Sequence, residues 1–139
     1  MTPLRIASDS LWTDINAAYG RSGGAYRLHC LAPEGDTLLT IQRVLGPDCD
    51  GVLYIGKAKS YLSRVIGLKK GLSPTHKSEP HIGGRRYWHD RHESLRKAFP
   101  YERLCVTFEP AADPRGKENE LLNAYCTKFG EAPPLNNIG

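Results

Sequence analysis

The chain has 139 residues, of which 40% are hydrophobic and 24% charged, and its formal net charge is +4. This length and composition exclude a disordered or fibrous chain and fit one globular domain over residues 1–139. No apolar run has the length of a membrane span and the first residues lack the layout of a signal peptide, so we expect a soluble, cytoplasmic protein that contacts no membrane.

The first part of the chain predicts one helix followed by three strands. Residues 8–19 have helical apolar spacing, and this helix begins at Ser8 or Ser10. Apolar or alternating segments between turn residues predict strands over 25–31, 38–45 and 52–55, with a turn over 46–51. Tyr26 lies on the more apolar face of the first strand. Because short turns join the three strands, we expect an antiparallel meander.

Residues 52–70 are the most informative stretch of the sequence. The apolar period changes from 2 to 3.6 at Gly56, which predicts that a buried strand ends there and that a helix over 60–69 follows. A helix N-terminus offers unpaired N–H groups to an anion, and Arg64 can lean back towards it from two turns along. With Tyr54 at the strand end, this junction suits a phosphate group. The alternative is an ordinary strand–helix unit with a core tyrosine and a solvated arginine.

The remainder predicts a loop, two helices and a strand. In chain order we expect a long loop over 71–84, a helix over 87–99, a strand over 104–108 and a helix over 113–129. Pro114 takes the first position of the last helix, and we expect the apolar, proline-rich tail to pack back across the domain. The predicted class is α/β (α+β), with a small, mainly antiparallel sheet of three or four strands flanked by helices.

The positive charge is concentrated in the middle of the chain. Residues 57–97 contain eleven basic and three acidic residues, whereas the remaining segments contain eight basic and twelve acidic residues. The same stretch holds four of the five histidines with interleaved aromatic residues. This mixture is typical of a surface that grips a phosphate backbone, and a solvated basic face is the alternative.

Several short motifs occur together in the order found in one nuclease family. They are G-A-Y at 24–26, Y-I-G at 54–56, Arg64 eight residues beyond that glycine, E-N-E-L-L at 118–122, and Asn136 after Pro-Pro-Leu. This combination resembles the GIY-YIG nuclease family over nearly the whole chain. The stretch YIGKAKSYLSR is most similar to the excision-repair and restriction members. The asparagine position of the family is Asn136 or Asn137.

The resemblance implies a set of catalytic roles. Tyr26 and Tyr54 would lie close together at the centre of the sheet, Arg64 would hold the scissile phosphate, and Glu118 would bind one Mg²⁺ or Mn²⁺ ion. A single carboxylate with water and substrate oxygens suits Mg²⁺. A tyrosine has a reference pKa of about 10, so a cation must favour its phenolate for it to act as a base. We expect Tyr26 to be the base and Tyr54 a positioning group.

Other residues are candidates for contacts with the substrate. His81 follows the predicted helix, as a histidine often does in the restriction-type members, and is a candidate proton relay or phosphate contact. Lys57 could contact the phosphate or assist Tyr26. The candidate DNA-binding residues are Lys69, Lys70, Arg85, Arg86 and Asn136.

The expected function is therefore metal-dependent hydrolysis of DNA phosphodiester bonds. A non-cleaving nucleic-acid-binding module, or a subunit of a repair or restriction complex with the same fold, is the alternative. An enzyme that acts on RNA is a third reading. The expected partner is DNA, possibly branched or site-specific, and a homodimer or a partner protein would supply further target choice.

Overall fold

The computed structural model describes residues 2–75 and 82–136, without the side chains of residues 82 and 83. The protein has a mixed α+β fold with an antiparallel sheet and five α-helices in these residues. The elements in chain order are β1 (Leu4–Arg5), α1 (Leu11–Tyr19), β2 (Gly24–Cys30), β3 (Ile41–Arg43), β4 (Gly46–Asp48), β5 (Tyr54–Ala58), α2 (Tyr61–Leu72), α3 (Ile82–Tyr87), α4 (Glu93–Ala98), β6 (Leu104–Pro110) and α5 (Pro114–Phe129). Short 3₁₀ turns occupy Asp90–His92 and Tyr101–Arg103.

The main sheet has four antiparallel strands in the order β1, β6, β2, β5. Strand β2 lies between β6 and β5, and six of its seven residues are buried. Because side chains alternate across a strand, β2 presents side chains to both faces of the sheet. Tyr26 and Leu28 belong to the larger core, where α2 contributes Val65 and Leu68. The antiparallel sheet and flanking helices confirm the α+β class predicted from the sequence.

Helix α5 covers the opposite face of the sheet. Tyr125 and Phe129 of α5 pack with Val52 and with Ile55 of β5 in a second, smaller core. Pro114 is the first residue of this helix, as predicted, and the side chain of Asp113 before it accepts a capping hydrogen bond from the N–H of Gly116. Gly130 then ends the helix in the left-handed conformation at φ 79°.

The predicted three-strand meander is wrong. Strand β5 pairs directly with β2, while β3 and β4 form a separate two-stranded sheet. Only residues 41–43 of the predicted strand over 38–45 form a strand, β3, and of these only Ile41 is buried. Val44 and Leu45 are exposed, and Arg43 forms an ion pair with Glu131. A segment with so little buried surface cannot occupy the centre of a covered sheet.

Other predicted boundaries also differ. Strand β5 does not end at Gly56 but continues to Ala58, and part of the predicted turn over 46–51 is strand β4. The predicted loop over 71–84 is too long, because α2 continues to Leu72 and α3 begins at Ile82. The single helix predicted over 87–99 is instead a 3₁₀ turn over Asp90–His92 followed by α4. His89 interrupts the predicted helix with an extended ψ of 140°, and its Nδ1 accepts a hydrogen bond from the N–H of Arg91.

The tail packs back on the sheet, as predicted. The N–H of Leu135 donates to the carbonyl of Leu53 at 2.8 Å. The side-chain amide of Asn136 accepts from the N–H of Ile55 at 2.8 Å and donates to the carbonyl of Ile55 at 2.9 Å. The side chain of Asn136 thereby makes the two backbone hydrogen bonds that a neighbouring strand would make on the free edge of β5. Within the described residues, no helix is long and apolar enough to cross a bilayer.

Replacing Asn136 with alanine should therefore destabilise the protein. The change leaves a backbone N–H and a carbonyl of β5 without their partner, which costs about 1–3 kcal/mol for each buried group left unsatisfied. We expect the unfolding temperature, followed by circular dichroism, to fall by about 3–10 °C. Asn123→Ala on the exposed side of α5 is the matched control and should change little. Equal unfolding temperatures for the two variants would contradict this role of Asn136.

Candidate active site

Two tyrosines from neighbouring strands share one face of the sheet. Tyr26 of β2 lies opposite Gly56 of β5, and Tyr54 lies two residues before that glycine on the same face. The ring centroids are 6.2 Å apart and the rings are inclined by 48°. Tyr26 is fully buried and Tyr54 is 6% exposed, so of the two rings Tyr54 is closer to solvent.

Gly56 creates the space for this pair. A Cβ built on Gly56 would overlap the phenol ring of Tyr26 and would lie 2.8 Å from Cε2 of Tyr54. Gly56 was predicted to end the strand. It lies within β5 instead, where the absence of a side chain lets the two rings approach the backbone. A glycine inside a strand often marks such a close approach.

Gly56→Ala should disturb both rings at once. Overpacking a tight core costs about 1–3 kcal/mol, so we expect a lower unfolding temperature together with a large loss of any activity that depends on the two phenols. Gly67→Ala is the matched control, because a Cβ at that helical position meets open space. That control should stabilise α2 by about 1 kcal/mol. Wild-type stability in Gly56→Ala would contradict the close packing.

Arg64 and Glu118 reach the tyrosine pair from two different helices. The guanidinium of Arg64, near the start of α2, donates a hydrogen bond to the Tyr26 side chain and also acts electrostatically on Tyr54. Helix α5 packs on the opposite face of the sheet, but β5 is an edge strand around which a side chain can reach. Glu118 is close enough for its charge to raise the pKa of both phenols.

The two acidic residues of the E-N-E motif have different surroundings. The side chain of Glu118 is 19% exposed, and its Oε1 lies 3.9 Å from Nζ of Lys57. The side chain of Glu120 is 66% exposed and pairs with Lys117 at 2.9 Å on the helix surface. Of the two, Glu118 is therefore the more buried carboxylate and the one that lies beside β5.

Burial keeps both phenols protonated in the free protein. It is the main cause of the raised pKa of Tyr26, to which Tyr54 and Glu118 add while Arg64 opposes them. Burial also raises the pKa of Tyr54, where two guanidinium groups, Arg64 and Arg86, act in the opposite direction. Tyr54 is thus both the more exposed phenol and the one with two cations that favour its phenolate.

The remaining predicted residues divide into those near the site and those away from it. Arg86 donates from Nη1 to the carbonyl of Leu135 at 2.7 Å and acts on Tyr54, so it joins the tail to the site. Arg85 is exposed beside it. Lys69 lies at the far end of α2, where its Nζ donates to the carbonyl of Ser8 at 2.7 Å, and Lys70 is exposed next to it.

The last three predicted residues are Asn136, His81 and Asn137. Asn136 commits its side-chain amide to the backbone of Ile55, so its role in the structure is to hold β5. His81 and Asn137 lie outside the described residues. No contact is assigned to either.

A cavity of about 660 Å³ lies between the end of β5 and the first turns of α2 and α5, and Arg64 and Lys57 of the site line it. We call it the basic cavity, because its lining includes the cations Lys57, Lys59, Arg64 and Arg115, with Ser60, Ser63 and Asp113. Lys59 and Arg115 were not among the site residues predicted from the sequence. Arg115 could have been noticed as a cation in the first turn of a helix, where helix electrostatics disfavour positive charge.

Glu118 is the residue best placed to hold a divalent ion. No group of three or more His, Cys, Asp or Glu side chains that could hold a metal occurs among residues 2–75 and 82–136. Mg²⁺ binds through one or two carboxylates and keeps several waters alongside substrate phosphate oxygens. A single, mostly buried carboxylate fits that chemistry.

No known protein family, characterised protein or solved structure matches this chain. Its function must therefore be inferred from its own residues and their geometry.

Proposed function

We propose that this protein is a metal-dependent endonuclease of the GIY-YIG type that hydrolyses phosphodiester bonds in DNA. The observation that supports the proposal is the convergence of two phenols, one guanidinium and one carboxylate, contributed by two strands and two helices that lie far apart in the sequence. A packed core has no need of a charged pair around two buried phenols, whereas phosphoryl transfer uses each of these groups.

Arg64 is assigned to the scissile phosphate. Its guanidinium is held by the phenol of Tyr26 and also lines the basic cavity, so one end of the group is positioned by the protein and the other faces open space. A planar guanidinium can donate two parallel hydrogen bonds to phosphate oxygens. These bonds strengthen as negative charge grows on the oxygens in the transition state.

Tyr54 is assigned as the general base and Tyr26 as the group that orients Arg64. This reverses the order that the sequence favoured, because a base must reach water and Tyr26 is fully buried. In the proposed step the Tyr54 phenolate takes a proton from water. The water oxygen forms a bond to phosphorus while the bond between phosphorus and the 3′ oxygen breaks, with the incoming and leaving oxygens in line.

Glu118 is assigned to the Mg²⁺ or Mn²⁺ ion. When bound, the ion would supply positive charge to the phosphate oxygens and would offset the carboxylate charge that raises the pKa of the phenols. Lys57, 3.9 Å from Glu118, neutralises the carboxylate in the free protein and is also within the basic cavity. It can turn to the phosphate when the carboxylate has a metal partner.

Arg85 and Arg86 are assigned to the DNA backbone beside the site. Arg86 is fixed by the tail close to Tyr54, and Arg85 is its exposed neighbour on α3. Lys69 and Lys70 lie at the other end of α2, about 12–14 Å from its start at a rise of 1.5 Å per residue. They can contact only a long substrate that extends along the helix.

The test is incubation of the purified protein with supercoiled, linear, branched and single-stranded DNA and with RNA, each with Mg²⁺, with Mn²⁺ and with a chelator. We expect nicking or cutting of at least one DNA substrate, dependent on the ion, with a 5′ phosphate on the product. Binding of DNA without cutting under every condition would favour the non-cleaving module. Cutting of RNA alone would change the substrate class.

A further inference from the structure

The basic cavity holds more positive charge than one reacting phosphate requires. Arg64 and Lys57 belong to the proposed catalytic group, but Lys59 and Arg115 line the same space without a role in that group. Asp113 contributes the acidic side chain among the residues that line this cavity, and it already caps α5 through the N–H of Gly116. Even with Asp113 counted, the lining carries a clear excess of positive charge.

The positions of these cations are unfavourable for the protein alone. Arg115 lies in the first turn of α5, and Lys59 comes immediately before Ser60, the cap residue of α2. The positive end of a helix dipole disfavours cations at both places, and each of these first turns lacks an acidic residue. Several like charges around one space also repel each other. Charges that oppose local stability are expected at places that bind a ligand.

The size and surroundings of the cavity indicate the chemistry of that ligand. A volume of about 660 Å³ lies within the range of roughly 300–1,000 Å³ that is typical of ligand sites. The side chain of Ser60 makes no capping hydrogen bond, while the N–H of Tyr61, the first residue of α2, donates to the carbonyl of Ser22 at 3.1 Å. The cations and the serine hydroxyls of the lining recognise an anion that has several oxygens.

We propose that Lys59 and Arg115 bind a second phosphate of the same nucleic acid strand, next to the phosphate that Arg64 holds. This inference rests on the proposed function and adds how the strand is aligned. Two fixed phosphates define the direction of the strand across the site. The second phosphate also excludes a mononucleotide or a dinucleotide without flanking phosphates as a good substrate.

The first experiment measures DNA binding without metal, so that no cutting occurs. Lys59→Gln/Arg115→Gln is compared with wild type and with Lys128→Gln, a basic residue at the other end of α5. We expect the double variant to bind a duplex about 10-fold more weakly at moderate salt. We also expect a less steep fall of log affinity with log salt, by about one, because one phosphate contact is lost and each contact contributes about one. Lys128→Gln should bind like wild type.

Two further readouts separate this inference from a structural effect. The double variant should unfold at the wild-type temperature or above it, because it removes cations from helix N-termini. A second readout uses a set of DNA molecules that each carry one neutral methylphosphonate linkage at a different position. Wild type should bind more weakly when the neutral linkage is the one adjacent to the reacting phosphate. The double variant should show no further loss of affinity with that same DNA. Wild-type affinity and salt dependence in the double variant would overturn the second-phosphate site.

The outcomes also distinguish the two proposals. Weaker binding by the double variant in a protein that cuts no DNA would support the phosphate site and contradict the hydrolytic function. Normal binding by the double variant in a protein that does cut would contradict the phosphate site and leave the function standing.

Discussion

Glu118→Gln should abolish cutting while DNA binding is retained. Glutamine keeps the shape of the side chain but removes the negative charge that would hold the divalent ion. Loss of metal-assisted stabilisation of the transition state should lower kcat by about 10³-fold or more, equivalent to about 4 kcal/mol. Binding should be equal or tighter, because a carboxylate near the phosphate is removed and Lys57 is released from its partner. The measurement is single-turnover cleavage alongside DNA affinity.

The control for this result is Glu120→Gln. The two glutamates are two residues apart on α5, but Glu120 is exposed and pairs with Lys117. Its removal should change the cleavage rate by less than about threefold, since exposed ion pairs contribute little. A second readout follows the tyrosines: Glu118 raises the pKa of both phenols, so Glu118→Gln without metal should lower the pH at which tyrosinate absorbance develops. Cutting at the wild-type rate by Glu118→Gln would remove the metal assignment.

Tyr54→Phe should cause the second-largest loss of cleavage rate and should also remove the pH dependence of that rate. A positioned general base contributes about 10²–10⁴-fold. The pKa of Tyr54 is raised above its ordinary value of 10.0, so near neutrality only a small fraction is phenolate. That fraction grows tenfold for each pH unit, and log kcat of the wild type should rise with a slope near one between about pH 6 and pH 9. In Tyr54→Phe the rate should be low and nearly independent of pH.

Tyr26→Phe distinguishes the two tyrosines. It removes the hydroxyl that holds Arg64 but leaves the proposed base, so the rate should fall about 10-fold with its pH slope intact. The same pH slope in Tyr54→Phe, with its loss in Tyr26→Phe, would return the base role to Tyr26. Both variants keep the ring, so circular dichroism should show that the fold is preserved.

The elements that the sequence predicted well are those whose local signals agree with their final environment. In α5 the proline at the first position and the glycine after the last residue are local signals, and both mark the ends of the helix in the structure. Strand β2 alternates in sequence and is covered on both faces in the structure. The tail was placed on the domain by composition, although its pairing with β5 was not foreseen.

The errors arose where the partner of a segment decides its structure. Residues 38–45 have strand-forming composition, but the sheet has room for β5 beside β2, and β5 buries more apolar surface. Gly56 was interpreted as a strand end because glycine often is one. Its real function, to leave space for two rings, depends on Tyr26, thirty residues earlier. Such long-range contacts leave no periodic signal in one sequence.

The candidate site, like the fold, was predicted from the sequence only in part. Tyr26, Tyr54, Arg64 and Glu118 were named from motifs and lie together, with Lys57 beside the carboxylate. The exposure of the two phenols could not be read from the sequence, since both have apolar neighbours. Nor could the approach of Arg115 to Lys59, because α2 and α5 meet only in the folded chain.

The arrival of α2 and α5 from opposite faces of the sheet has a consequence for the resting protein. Among the ion pairs of the described residues, none joins Arg64 to Glu118. Both charges nevertheless act on the same two phenols, that of Arg64 lowering their pKa and that of Glu118 raising it. A phosphate can therefore reach Arg64 without first breaking a salt bridge between these two side chains.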